Sequence, residues 1–169
     1  MAEQACGVII ADENEQSRAE FKQCIQKTKY TVVAEVTNCD DLIAAYEKKR
    51  PELVVMCIAL SGHRDRKGEG GQQGLARLLK LQPKPRVVIA HGLDTQYLVV
   101  SALKSGAIAS VRKPFKPDKT LEALAKGEIS RGGAAAVQRG GMRLRKSFMV
   151  RFKKASEGFF KFMREAIAD

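Results

Sequence analysis

The sequence predicts an α/β fold with a doubly wound, five-stranded parallel sheet. Five short runs rich in Val and Ile recur within residues 1–126, and several are apolar at consecutive positions. Such runs are typical of parallel strands that are buried on both faces. Amphipathic stretches alternate with them, as they do in sheets built from βαβ units. Polar side chains follow several of the runs, at the edge where such sheets form their functional crevice.

The individual elements follow from these patterns in chain order. The predicted strands cover residues 8–11, 30–36, 53–58, 86–90 and 108–112. The predicted helices cover residues 14–28, 40–50, 73–81, 95–105 and 117–126. We predict helix caps at Asp40–Asp41 and at Asp94–Thr95. Pro117 suits the first position of the last of these helices, where a missing N–H costs nothing.

The charge of the chain is concentrated near its end. The formal net charge is +11 over 169 residues, and residues 127–169 hold ten Lys and Arg against four Asp and Glu. A segment of this kind suits an anionic partner such as an acidic protein, a membrane surface or a nucleic acid. The hydrophobic content of 44% excludes disorder throughout the chain.

The cysteines and the N-terminus indicate a reducing, cytoplasmic setting. Cys6, Cys24, Cys39 and Cys57 show no C-x-x-C spacing, so neither a disulfide framework nor a zinc site is expected. The first residues lack the basic and apolar regions of a signal peptide. No apolar run reaches the roughly 20 residues that a membrane-spanning helix needs. We therefore expect a cytoplasmic protein without bound metal.

Three of the predicted strand ends carry charged or thiol side chains. The first strand runs into Asp12–Glu13, the third ends at Cys57, and the fifth leads into the run from Ser110 to Phe115, S-V-R-K-P-F, which contains Lys113. Together with the stretch 101–115 (S-A-L-K-S-G-A-I-A-S-V-R-K-P-F), they resemble the receiver domain of two-component response regulators, a flavodoxin-like fold similar to chemotaxis regulators. The resemblance covers residues 6–126.

The resemblance implies a role for each position. In receivers the acidic pair holds Mg²⁺, an aspartate at the end of the third strand accepts a phosphoryl group, and the lysine pairs with it. The resemblance also implies a cis peptide bond before Pro114. Here Cys57 stands in place of the acceptor aspartate, and a neutral thiol is a poor Mg²⁺ ligand. We therefore expect a degenerate pseudo-receiver with weak or absent Mg²⁺ binding and no other cofactor.

Two further positions depart from the family pattern. His91 occupies the place of a Thr or Ser, and Ser110 that of a switch Tyr or Phe. We interpret His91 as a hydrogen-bonded structural residue and Cys57 as a small buried hydrophobe. Lys113 is expected to form a salt bridge with Asp12. A redox switch at Cys57 remains an alternative, because a nearby ammonium lowers a thiol pKa whereas carboxylates raise it.

The C-terminal quarter of the chain contains a predicted linker and a predicted helix. Two Gly-Gly pairs within residues 127–141 indicate a flexible linker, and the Gly-rich loop 61–74 is either a surface insertion or a partner contact. Residues 142–169 hold five of the seven Phe, and helical spacing separates an aromatic face from a basic one. The predicted partner-binding residues of this tail are Phe148, Phe152, Phe159, Phe160, Met163, Arg151, Lys153 and Lys154.

Four uses of the tail helix stay open. It packs on its own domain or on a second subunit of a homodimer, it binds a groove in a signalling protein, or it lies in a membrane interface. Nucleic-acid binding is the weakest of the four, since one basic helix gives mainly phosphate contacts. No nucleophile–base arrangement indicates an enzyme. The sequence predicts a phosphorylation-independent adaptor or targeting protein, with a conventional phosphorelay response regulator as the alternative.

Overall fold

The structure is a computed structural model that describes residues 5–62 and 70–136. Contacts within the chain divide it into residues 1–134 and residues 135–169, and only two residues of the second part are described. The strands are β1 Cys6–Ala11, β2 Tyr30–Val36, β3 Leu53–Cys57, β4 Val87–His91 and β5 Ala109–Arg112. The helices are α1 Glu15–Ile25, α2 Cys39–Lys49, α3 Gly71–Leu78, α4 Val99–Ser105 and α5 Pro117–Ala136, with a 3₁₀ turn at Gln96–Leu98 before α4.

The five strands form one parallel sheet, so the predicted fold class is confirmed. Their order is β2-β1-β3-β4-β5, and every neighbouring pair runs parallel. The chain winds outward from β1 to β2 and then returns to place β3 on the other side of β1. Crevices form where the winding reverses in this way, at the carboxyl ends of the strands. The candidate site therefore lies at the ends of β1 and β3.

Each face of the sheet buries its own core. On one face, Phe21 of α1 and Leu124 of α5 pack with Val8 and Ile10 of β1. Phe21 also meets the ring of Phe115 edge to face at a centroid distance of 5.4 Å. The opposite face packs α2, α3 and α4 on the sheet through the buried residues Leu42, Tyr46, Leu75, Leu78 and Ala102. Because both faces are covered, the strands are apolar at consecutive positions instead of alternating.

The predicted linker is wrong over its first ten residues, because α5 continues through Ala136. Gly127 is buried there, and a Cβ at this position would lie 2.6 Å from Leu53 Cδ2. The Glu128 carboxylate accepts hydrogen bonds from Tyr30 Oη and Lys29 Nζ, both at 2.9 Å. Arg86 donates to the main-chain carbonyl groups of Gly127 and Glu128. These contacts extend the receiver-like domain past its predicted end at residue 126.

Two predicted caps are also wrong. Helix α2 is capped by Asn38, whose side-chain oxygen accepts from the Asp41 N–H at 2.8 Å, so Asp40 and Asp41 lie in its first turn. Asn is as good a cap as Asp, and it precedes the first helical residue. Thr95 precedes the 3₁₀ turn, but its hydroxyl accepts from the Gly92 N–H instead of capping.

Several predictions lie outside the described residues. They comprise the remainder of the linker (137–141), the helix at 142–169 with its partner-binding side chains, and half of the loop 61–74 (63–69). In the described part of the chain, no helix is both long and apolar enough to cross a bilayer.

Candidate functional site

Four of the five predicted pocket residues lie at or just beyond a strand end, and Glu13 follows the first of them. Asp12 follows β1, Cys57 and His91 end β3 and β4, and Lys113 follows β5. The register pairs Ala11 with Met56, one residue before Cys57, so the ends of β1 and β3 are nearly level. The Lys113–Pro114 peptide bond is cis, as the resemblance implied, and the Lys113 N–H donates to the His91 carbonyl at 2.8 Å.

Asp12, Cys57 and Lys113 meet in one cluster. Lys113 Nζ lies 2.8 Å from Asp12 Oδ2 and 3.4 Å from Cys57 Sγ. The second carboxylate oxygen of Asp12 accepts from the Asn14 N–H at 2.9 Å. Asp12 is 2% exposed and Cys57 is 6% exposed, so the ion pair and the thiol are largely withdrawn from water. The predicted salt bridge between Asp12 and Lys113 is confirmed.

Glu13 turns away from this cluster toward the loop after β3. Its Oε1 accepts from the Ser61 N–H at 2.7 Å and also from the Ser61 hydroxyl. Ser61 is joined to the start of α2, because its carbonyl accepts from the Cys39 N–H at 2.9 Å. The carboxylate therefore fastens the loop to the domain. The sequence did not single out Ser61 as a partner of Glu13, since no local pattern marks a contact over 48 positions.

His91 is a satisfied structural residue. Its Nδ1 lies 3.0 Å from the Gly92 carbonyl oxygen. A carbonyl only accepts, so Nδ1 carries the proton in this contact and donates it. His91 is buried, at 7% exposure. The interpretation of His91 as a hydrogen-bonded side chain is confirmed.

Electrostatics in the cluster keep the thiol protonated and the amine charged. Burial raises the pKa of the Cys57 thiol above its usual 9.0, and the Asp12 charge raises it further, which outweighs the lowering by Lys113. Burial lowers the pKa of Lys113, yet its hydrogen bond to Asp12 and the charge of that carboxylate raise the pKa above its usual value. At neutral pH the cluster thus holds an ammonium–carboxylate pair beside a neutral thiol, which is a weak nucleophile.

The donor set fits Mg²⁺ poorly. Mg²⁺ takes oxygen ligands in octahedral geometry and dehydrates reluctantly. Asp12 already holds Lys113, Glu13 holds Ser61, and Cys57 offers a sulfur atom, which is a poor ligand for Mg²⁺. Within residues 5–62 and 70–136, no group of three or more His, Cys, Asp or Glu side chains stands ready for a metal.

A parallel α/β domain in which an acid after β1 and a lysine after β5 meet at the end of β3 has the architecture of a signalling receiver. A family model for the response regulator receiver domain matches residues 8–125. The chain belongs to that family, which operates in two-component signalling.

Known proteins similar to this chain include chemotaxis regulators. Chemotaxis protein CheY of Thermotoga maritima is 29% identical over 119 residues, which cover 70% of this chain and 94% of that protein. Chemotaxis protein CheY of Bacillus subtilis is 27% identical over 119 residues, with the same two coverages.

Solved structures agree on the fold. The receiver domain of NtrX from Brucella abortus superposes with a TM-score of 0.62 at 23% identity, over 73% of this chain and 98% of that one. A LuxR-family two-component response regulator from Aurantimonas gives a TM-score of 0.65 at 20% identity, over 75% and 87% of the two chains. At these identities the likeness is one of fold.

Proposed function

We propose that this receiver-family protein works without phosphotransfer, as a cytoplasmic signalling adaptor or targeting protein that is not an enzyme. The observation that carries the proposal is Cys57 at the end of β3, in contact with Lys113 Nζ at 3.4 Å. By the resemblance, this is the position of the phosphoryl-accepting aspartate. A protonated thiol there supplies neither the carboxylate nucleophile nor a Mg²⁺ ligand.

The bonding around the thiol supports the same proposal. The two carboxylates that would hold Mg²⁺ are engaged with Lys113 and with Ser61. A metal would have to replace both contacts before any chemistry began. The ion pair of Asp12 and Lys113 therefore serves as a permanent internal substitute for the bound ion, and it holds the pocket in one state.

The role as an adaptor rests on binding surfaces and not on the pocket. Receiver domains bind signalling proteins, and we assign the same kind of partner to this domain. The basic, aromatic segment 142–169 is the second proposed contact, with Phe152, Phe159 and Lys153 among its binding residues. An amphipathic segment of this composition fits a groove in a partner protein, a second copy of the chain, or a membrane surface.

The redox alternative is disfavoured by the environment of Cys57. Oxidation proceeds through an exposed thiolate. Cys57 is 6% exposed and its pKa is raised, first by burial and then by Asp12. The wild type is treated with peroxide and its peptides are analysed by mass, with Cys57→Ser as the control that lacks this thiol. We expect Cys57 of the wild type to stay unmodified. Stoichiometric oxidation of Cys57 would support a redox switch instead.

The direct test of the proposal is phosphoryl transfer from a small donor. The full chain and its Cys57→Asp variant are incubated with acetyl phosphate and Mg²⁺, and their intact masses are recorded at neutral pH. We expect no phosphoryl adduct on the wild type and an adduct on Cys57→Asp, which serves as the positive control. An adduct on the wild type would identify the chain as a conventional response regulator that uses another acceptor.

A second experiment tests the adaptor role. Binding partners are captured from native lysate with the full chain and with a Phe152→Ser/Phe159→Ser variant, at low and high salt. We expect protein partners that persist at high salt and are lost with the variant. Lipid or nucleic acid released by salt would favour an electrostatic anchor, and identical partners would place binding on the receiver domain.

A further inference from the structure

A cavity of about 510 Å³ lies between β5 and α5. It touches the pocket described above through His91 and Lys113, but Asp12, Glu13 and Cys57 do not line it. The volume falls within the range of small-molecule sites, about 300–1,000 Å³. The cavity is therefore a separate concavity beside the degenerate phosphorylation pocket.

The walls of the cavity carry a large excess of positive charge. Six charged side chains line it, namely Arg112, Lys113, Lys116, Lys119, Glu122 and Lys126. Lys119 and Lys126 lie seven residues apart on α5, about two turns, so they share one helical face, and Lys116 immediately precedes the helix. The sequence alone could have shown this basic stripe.

Little of this charge is neutralised within the domain. Glu122 is the single carboxylate in the lining, and it accepts from Lys126 at 2.9 Å and from Lys119 at 3.3 Å. Lys113 is turned to Asp12. In the described part of the chain, no carboxylate forms an ion pair with Arg112 or Lys116. Clustered cations without counter-charges repel one another, and an anion relieves that repulsion.

The shape and chemistry of the lining select the class of anion. Small or apolar side chains, among them Ser110, Val111 and Ala123, also line the cavity. Arg112 offers a planar fork of donors and Lys116 a mobile ammonium, a combination suited to phosphate oxygens. No Phe or Tyr from the described residues lines the cavity, so nothing is positioned to stack on a nucleobase.

We propose that this cavity binds a small phosphate-bearing polyanion, with Arg112 and Lys116 as the principal contacts. Two linked phosphates match the excess charge better than one. Recognition is of the phosphates and not of an attached base. This site depends neither on the chemistry of Cys57 nor on the tail, so its test is independent of the proposed function.

The test is a titration of the full ¹⁵N-labelled chain with inorganic pyrophosphate, followed by NMR. We expect saturable shifts at the amides of Ser110 to Arg112, of Lys116 and of Asp118 to Ala123. The Arg112→Gln/Lys116→Gln variant should weaken binding about tenfold or more, because both principal cations are lost. Lys48→Gln/Lys49→Gln removes the same charge from exposed positions on α2, and it should weaken binding less than about twofold. ADP in place of pyrophosphate should bind no more tightly.

A control variant in the tail distinguishes binding at the cavity from binding at residues 142–169. Lys153→Gln/Lys154→Gln should leave the shifts at β5 and α5 unchanged. Equal weakening by the cavity pair and the α2 pair would overturn the proposal in favour of general surface charge. Shifts confined to other residues, or an absence of saturable binding, would overturn it as well.

Discussion

At the scale of single residues, the pocket is defined by the ion pair of Asp12 and Lys113. Asp12 and Lys113 lie 2.8 Å apart with side-chain exposures of 3% and 21%. A buried pair of this kind adds little net stability over an apolar pair, yet removing one partner leaves the other charge uncompensated. We therefore expect the ion pair to hold the side chains of the pocket in one arrangement.

We expect Lys113→Met to lower the free energy of unfolding by roughly 3 kcal/mol, since it leaves the Asp12 carboxylate buried without its partner. Urea denaturation of the full chain measures the loss. Lys126→Met breaks the exposed pair with Glu122 and is the matched control, with an expected loss below about 1 kcal/mol. Adding Asp12→Asn to Lys113→Met should recover part of the loss. Equal losses in the two single variants would contradict the importance of burial.

Cys57→Asp should make the stability of the protein depend on Mg²⁺. Two carboxylates would then share one ammonium, so the variant should melt below the wild type without metal. Mg²⁺ would bind only the folded state and raise the melting temperature by about 3 °C or more. The Cys57→Asn variant, whose side chain is the neutral isostere of Asp, and the wild type should respond little to Mg²⁺. A matching rise in the wild type would mean that its pocket holds the metal.

At the scale of elements, helices α2 and α3 approach closely because Gly74 has no side chain. A Cβ on Gly74 would lie 2.1 Å from Cys39 Sγ and 3.3 Å from Met56 Cε. Cys39 and Met56 are fully packed, at 1% and 0% exposure. The glycine therefore sets the spacing between the two helices.

Gly74→Ala should destabilise the protein by about 1–3 kcal/mol through overpacking, despite the better helix propensity of Ala. Cys39→Ala removes the sulfur that clashes, so the double variant should lose less than the sum of the two single losses. Thermal or urea denaturation of the four proteins completes the cycle. Additive losses would show that Cys39 does not set the helix spacing.

Elements whose signal is local were predictable from the sequence. Strand β2 matches its predicted range of 30–36, and α5 begins at Pro117 as expected. The run of residues past 126 was misread because its glycines indicate a linker when the chain is viewed alone. Gly127 lets α5 lie close to Leu53, because a Cβ there would be 2.6 Å from Leu53 Cδ2. Glu128 accepts a hydrogen bond from Tyr30, which is 98 positions away in the sequence. Contacts over such separations leave no local pattern.

The pocket likewise contains some contacts that the sequence predicts and others that it does not. The sequence predicts that Asp12, Cys57 and Lys113 lie close together, because the carboxyl ends of parallel strands meet at one edge of the sheet. The sequence does not predict where the Glu13 side chain points, because its partner Ser61 follows another strand. The cavity beside α5 also depends on how the helix is set against β5, although its basic stripe is visible in the sequence.

At the scale of the whole molecule, the four free cysteines link stability to alkaline pH. Burial, followed by the Glu128 charge, raises the pKa of Cys6 to about 11, and burial and then nearby acids outweigh Arg77 in raising that of Cys39 to about 11. Raised values mean that the folded state prefers the protonated thiols. Their contribution is complete below about pH 9 and is lost as pH rises toward 11.

The free energy of unfolding should accordingly be level from neutral pH to about pH 9 and then fall. Each of these two thiols accounts for a loss of roughly 2 kcal/mol by pH 11. Lys113, whose pKa is raised, adds a loss above pH 10.5. Urea denaturation at successive pH values measures the slope, and Cys39→Ala should flatten it. An unchanged slope in Cys39→Ala would remove this thiol as a cause.

The central claim is that the pocket of this receiver does not accept a phosphoryl group. The most direct measurement is an NMR titration of the full chain with beryllofluoride, a phosphoryl mimic, in the presence of Mg²⁺, with Cys57→Asp measured alongside. We expect no saturable shifts around Asp12, Cys57 and Lys113 in the wild type, and clear shifts in the variant. Saturable shifts around these residues in the wild type would contradict the claim and would indicate that the protein is a conventional response regulator.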